Sequence, residues 1–217
     1  MTMTEAQTRD LLVELGASLF QRGYCVGSAG NICVRLPDGY LMTPTNSSLG
    51  RLRADRISKL DPDWTHIAGD APSKEVFMHR AVLTARPQAG AVVHLHSTCA
   101  TAIGCLAQPG CDQPIAALTP YFVMRVGRRL PVIRYYRPGD SAMEAEIHAA
   151  AQGASAMILA NHGPVVSGKT LTDTVYAAEE LEESAKLALM LRGMQARALS
   201  ADQIDDLLQV YGPPGAG

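Results

Sequence analysis

The chain has 217 residues, and its 19 basic and 21 acidic side chains give a formal net charge of −2. That length suits one sizeable domain (1–217), and near-neutrality without a long basic run argues against nucleic-acid partners. No stretch reaches a membrane-spanning length, and residues 1–10 carry neither an apolar signal core nor an Arg-rich transit pattern. The five cysteines (Cys25, Cys33, Cys99, Cys105, Cys111) form no C-x-x-C pair. The expectation is a cytoplasmic protein without a membrane partner, its cysteines reduced and acting as small buried hydrophobes.

Leu11, Leu12, Leu15 and Leu19 recur at helical spacing, and Gly23 is a C-terminal stop. Strands are expected at residues 32–36 and 40–42, around the turn signal Pro37-Asp38-Gly39. Ser73 is placed to cap a helix that carries Phe77, Ala81 and Thr84 on one side and ends before Pro87. A Val-rich strand then leads into His94-Leu95-His96. A Gly/Pro-rich loop (Pro109, Gly110, Pro114, Pro120) follows, then a strand over 131–136. Asp140 or Ser141 caps a helix through Met143 and Ile147 that stops at Gly153. A strand over 157–159 precedes a long helix from about 172 to 191, and Gly212-Pro213-Pro214-Gly215 reads as a frayed tail. No repeat or flexible linker divides this order. The expected class is α/β, with a mostly antiparallel or mixed sheet covered by helices.

The chemistry starts at His94 and His96. Alternate strand residues share a face, so both imidazoles project together. Buried together they need a partner, and a divalent metal satisfies both at once. His162, in Asn161-His162-Gly163-Pro164, would complete a three-histidine site with an open position. His66, His79 and His148 read as ordinary hydrogen-bonded side chains. Gly27-Ser28-Ala29-Gly30-Asn31 is either a tight turn or an anion-binding loop of exposed N–H groups. Thr43-Pro44-Thr45-Asn46-Ser47-Ser48 is either a solvated turn or part of the same cradle. Pro72-Ser73-Lys74-Glu75 offers helix N-terminal N–H groups and the Lys74 charge to an anion. Glu75 is a favourable helix-start carboxylate or, beside a metal, a general acid/base. Tyr121, in Thr119-Pro120-Tyr121-Phe122, fits a core, interface or proton-donor role.

In this order the motifs resemble the class II aldolase/adducin family, over roughly residues 8–195. The resemblance implies a three-layer fold, with a central, mostly antiparallel sheet between helical layers. It also implies a homotetramer with active sites at subunit interfaces. Zn2+, or another divalent metal, is expected on His94, His96 and His162. Gly30, Asn31, Thr45, Asn46, Ser73 and Lys74 fall where the family grips a substrate phosphate, and Glu75 where the aldolases keep their acid/base carboxylate. Tyr121 matches a tyrosine that reaches a neighbouring subunit's site. Tyr211 lies near a family tail tyrosine, but its flanks do not match and no role is assigned.

Ser73-Lys74-Glu75 departs from the usual Ser-Ser-Glu, and the epimerases have Asp where Glu75 stands. With residues 45–50, 118–121, 134–140 and 160–166, the chain resembles the 3-oxo-tetronate 4-phosphate decarboxylase branch. The implied activity is that of a carboxy-lyase: zinc-dependent loss of CO2 through a metal-stabilised enediolate to give dihydroxyacetone phosphate, in four-carbon sugar-acid catabolism. One alternative is a fuculose-phosphate-type aldolase; another is a non-catalytic, adducin-like binding module. A cation gripping the carboxylate would oppose decarboxylation, which favours a phosphate role for Lys74.

Overall fold

Short runs that are apolar at successive positions, and so bury both faces of a sheet, build the centre of the molecule. The computed structural model describes residues 3–214. Its strands are β1 (Asn31–Leu36), β2 (Gly39–Met42), β3 (Ser58–Leu60), β4 (His66–Ala68), β5 (Ala91–His94), β6 (Val132–Ile133), β7 (Ala156–Leu159) and β8 (Gly163–Gly168). They form one sheet in the order β4-β3-β2-β1-β5-β8-β7-β6. Every pairing is antiparallel except β6 with β7, which is parallel.

Both faces of this sheet are apolar and both are covered. Ile32, Val34, Ala91, Val93, Ala156, Ile158 and Val166 point to one face. There they meet α1 (Glu5–Gln21), α3 (Thr98–Leu106), α4 (Pro120–Arg125) and α6 (Leu171–Met190) through side chains such as Leu12, Ile103, Phe122 and Leu181. Cys33, Val92, Met157, Leu159 and Val165 point the other way, onto α2 (Val76–Ala85) and α5 (Glu144–Ala151). Full burial of each Leu or Ile contributes roughly 1.5–3 kcal/mol, so the helical layers hold the sheet from both sides. Among the described residues, no helix is long and apolar enough to cross a membrane.

The helix starting at Glu5 has a Thr4–Gln7 capping box, and Gly23 takes the left-handed conformation (φ +81°) just after it. The expected strands at 32–36 and 40–42, the helix after Asp140 and the long helix near 172–191 all form within a residue or a few. Asp140 first caps a short 3-10 turn (Ser141–Met143), its carboxylate accepting from the Ala142 N–H, and α5 follows.

Other expectations are corrected. Helix α2 begins at Val76 rather than after Ser73, because Pro72 bridges to Pro44, the Ser73 N–H bonds the Thr43 carbonyl, and Lys74 and Glu75 form a turn. Thr84 is exposed and Leu83 takes the buried position instead. Strand β5 ends at His94, so His96 lies beyond it. The strand over 131–136 shrinks to Val132–Ile133, and Pro120 starts helix α4 rather than extending a loop. Cys25 and Cys33 are buried, but Cys105 is exposed and Cys99 and Cys111 are half-buried. The terminal segment is not simply frayed. A further helix, α7 (Ala201–Tyr211), carries a Ser200–Gln203 capping box, and the Pro214 carbonyl accepts a bond from Arg86 Nη2 at 3.1 Å. Gly215 lies outside the described residues.

Candidate metal centre

Two neighbouring strand ends and a tight turn build the site. Across β1, β5 and β8 the register aligns Asn31, His94 and Val165 in one row. His94 is fully buried, and its Nδ1–H donates to the Pro164 carbonyl at 2.9 Å, which leaves the Nε2 lone pair facing its neighbours. The same carbonyl accepts the Leu95 N–H at 3.2 Å, fixing the chain as it leaves β5 towards His96. His162 sits in the β7–β8 turn. Asn161 there is left-handed (φ +57°), and a side chain at Gly163 would collide with the Leu95 carbonyl. A glycine is therefore required where this turn crosses the His-x-His segment.

The three rings converge. Centroids are 5.0 Å apart for His94–His96, 4.8 Å for His94–His162 and 4.7 Å for His96–His162, with interplanar angles of 65°, 78° and 80°. One nitrogen of each lies within 4.8 Å of the others. His94 Nε2 and His96 Nε2 are 3.1 Å apart, close to the roughly 3.3 Å between two tetrahedral zinc ligands at 2.0–2.1 Å. Burial pushes all three imidazoles towards the neutral form, most strongly His94, and the neighbouring imidazoles depress His94 and His96 further. The Glu75 carboxylate partly opposes this at His96 and His162. Neutral imidazole is the metal-binding form, so the donor set fits a divalent ion such as Zn2+.

Glu75 stands beside this cluster, its two oxygens 3.7 Å from His94 Nε2 and from His162 Nε2. Its Oε2 accepts Asn31 Nδ2–H at 2.8 Å, and Asn31 Oδ1 contacts His79 Nε2. His79 is hydrogen-bonded, as expected, and its partner Asn31 lines the cleft. Its partner in the site lies 48 positions away, a separation that leaves no local signal.

A cleft of about 700 Å³ opens over the cluster. Gly30, Asn31, Thr45, Asn46, Ser73, Lys74, Glu75, His96 and His162 all line it, while His94 lies sealed beneath. The two polar turns meet through the Pro44–Pro72 bridge and through hydrogen bonds from Thr45 N to Ala71 O (2.9 Å) and from Ser73 N to Thr43 O (3.2 Å). Gly30 is left-handed (φ +81°), and a Cβ there would lie 3.0 Å from the His94 carbonyl.

Thr101, Pro138, Gly139 and Asn161 also line the cleft. Thr101 comes from α3, a helix not among those expected from the sequence. Glu182 of α6 caps α3 by accepting Cys99 N–H (2.7 Å) and Ala100 N–H (2.8 Å), which anchors the chain just after His96. Tyr121 is 61% exposed on α4 and Tyr211 is 62% exposed at the end of α7; neither lines the cleft.

Residues 10–189 match the family model described as Class II Aldolase and Adducin N-terminal domain. The chain is 47% identical over 206 residues to the 3-oxo-tetronate 4-phosphate decarboxylase of Haemophilus influenzae, covering 94% of this chain and 98% of that protein. It is 45% identical over 204 residues to the protein of that name from Escherichia coli K12, with 94% and 96% covered. An L-fuculose phosphate aldolase from Methanocaldococcus jannaschii is 34% identical over 181 residues, with 82% and 93% covered. The crystal structure of YgbL from Klebsiella pneumoniae superposes with a TM-score of 0.91 at 46% identity, covering 95% of this chain and all of that one. With the family model matched over residues 10–189 and this identity along nearly the whole length, the chain belongs to the class II aldolase and adducin N-terminal domain family.

Proposed function

We propose that this chain is a metal-dependent decarboxylase that converts 3-oxo-tetronate 4-phosphate into dihydroxyacetone phosphate and CO2. The observation that carries the reading is a three-histidine cluster with Glu75 at 3.7 Å, at the base of a cleft edged by Lys74. The end-to-end identity with decarboxylases of this name supports the choice of substrate.

In this reaction the C1–C2 bond breaks, CO2 leaves, and the electron pair left at C2 delocalises onto the C3 oxygen before C2 takes up a proton. His94, His96 and His162 would hold a divalent ion, Zn2+ or another, which would supply Lewis-acid stabilisation of developing negative charge. Glu75 delivers the proton to C2. The turns around Gly30–Asn31, Thr45–Asn46 and Ser73 hold the phosphate through N–H and hydroxyl donors, and Lys74 adds its charge. With the cation on the phosphate, the carboxylate keeps its freedom to lose charge as CO2 forms. Tyr121 contacts substrate in the cleft of a neighbouring subunit of a homotetramer, a role supported by its exposure outside its own chain's cleft. The proposal includes a single domain working in the cytoplasm, in four-carbon sugar-acid catabolism.

A fuculose-phosphate-type aldolase would use the same cluster, and Glu75 is compatible with it. The retained three histidines argue against a non-catalytic, adducin-like module. Metal-loaded protein should release dihydroxyacetone phosphate and CO2 in equal amounts from 3-oxo-tetronate 4-phosphate, and a chelator should stop it. Faster cleavage of L-fuculose 1-phosphate would transfer the assignment to the aldolase; no turnover of either would remove both.

A further inference from the structure

His79 is fully buried on α2, with Nε2 against Asn31 Oδ1 and Nδ1 enclosed without a partner. A neutral imidazole has one N–H. On Nδ1 that proton would be a buried orphan donor, and the Nε2 lone pair would face the lone pairs of Asn31 Oδ1. On Nε2 it is satisfied by Asn31 Oδ1, and only a lone pair goes unmet. The Nε2–H form therefore fixes which end of the Asn31 amide faces α2. Asn31 Nδ2 is left to turn towards Glu75, where it donates to Oε2 at 2.8 Å. With the amide reversed, Oδ1 would confront the carboxylate oxygens instead.

We propose that His79 is a positioning residue: acting through Asn31, it holds the Glu75 carboxylate over the three-histidine cluster. The effect on turnover rests on the decarboxylase reading above; the geometric part does not. Asn31 thus has a task besides phosphate contact, and one of its two Nδ2 hydrogens is already committed.

The test uses the full-length, metal-loaded protein with His79→Gln, which can restore an N–H near the Nε2 position, and His79→Leu, which fills the space without a donor. His79→Leu should lower kcat by about tenfold to a hundredfold, the scale of a roughly 1 Å misplacement. KM and metal content should stay within about twofold, and His79→Gln should recover most of the loss. Equal losses in both variants, full activity in His79→Leu, or a loss confined to KM or metal content would overturn the proposal. Independently of substrate, 15N NMR of the wild-type protein should show His79 as the neutral Nε2–H tautomer, and an Nδ1–H tautomer would also overturn it. Crystal structures should show Glu75 displaced in His79→Leu and restored in His79→Gln; an unmoved Glu75 in His79→Leu would count against it. Should His79→Leu not fold, the tautomer and the His79→Gln variant decide, Gln being required to keep near wild-type kcat and the Glu75 position. Should wild-type protein leave the substrate untouched, the reaction assignment fails, while the NMR and crystallographic results still decide the role of His79.

Discussion

Glu75 Oε2 lies 3.7 Å from His94 Nε2, so a carboxylate and a buried imidazole nitrogen share one small volume. The two reach it from different layers, His94 from the end of β5 and Glu75 from the N-terminal edge of α2. Glu75→Gln keeps the shape but removes the transferable proton. Steady-state assays should show kcat down by about 10²- to 10⁴-fold, the usual worth of a positioned acid/base. Bound metal should be unchanged, and an active Glu75→Gln enzyme would exclude Glu75 as the proton donor.

His94→Ala should abolish stoichiometric metal binding, since two remaining imidazoles make a poor site for a divalent ion. Metal analysis by mass spectrometry of wild type and variant provides the check. Equal metal in both would place the ion elsewhere.

Lys74→Gln removes one cationic donor at the edge of the cleft. A contact to the phosphate is worth roughly 1.5–3 kcal/mol, so kcat/KM should fall by about tenfold to a hundredfold, mainly through KM. Weaker binding accompanied by a raised kcat would assign Lys74 to the reacting carboxylate instead.

The metal-free protein should lose stability in acid. Burial pushes the His79 imidazole down to about 3, against an ordinary value of 6.5. Below pH 6.5 the unfolded chain therefore binds a proton that the folded chain refuses. Stability from this group is complete above pH 6.5 and is lost progressively as pH falls towards 3, by up to about 1.4 kcal/mol per pH unit. Burial of His94 acts in the same direction. Urea midpoints at pH 7 and pH 5 measure the loss, and the His79→Gln variant should show a shallower decline.

Gly30→Ala should disturb the site without touching its ligands. The left-handed backbone at Gly30 penalises alanine by about 1–2 kcal/mol, and the added Cβ would press on the His94 carbonyl at 3.0 Å. A lower Tm together with weaker metal affinity is expected, as read by calorimetry and metal titration. A fully tolerant site would show that the His94 backbone can yield.

Segments with a repeating pattern were legible in the sequence. The first helix and the helix near 172–191 display their apolar stripes, and Ile32–Leu36 is a short apolar run closed by the turn signal Pro37-Asp38-Gly39. Segments whose structure is imposed by distant partners were not. Helix α3 opens on Thr98 and Cys99 and carries Gly104 inside, all residues of weak helical preference, and it is capped by Glu182 from 83 positions away. Strand β8 hides behind Gly163 and Pro164, because its hydrogen-bonded place between β5 and β7 is set by the sheet. Ser73 looks like a helix cap, but its N–H bonds the Thr43 carbonyl and the next two residues form a turn ahead of α2.

By itself, the sequence singled out the three histidines, the polar turns and Glu75, because their order along the chain resembles one family where no single spacing decides. Only the tertiary structure decided how they meet. His96 lies beyond its strand, so convergence comes from the Pro164 carbonyl and the crossing at Gly163 rather than from strand alternation. The same holds for the His79–Asn31–Glu75 relay, whose hydrogen bonds span 48 and 44 positions. Such contacts leave no mark on local pattern, since they arise where helix α2 is laid against the end of β1.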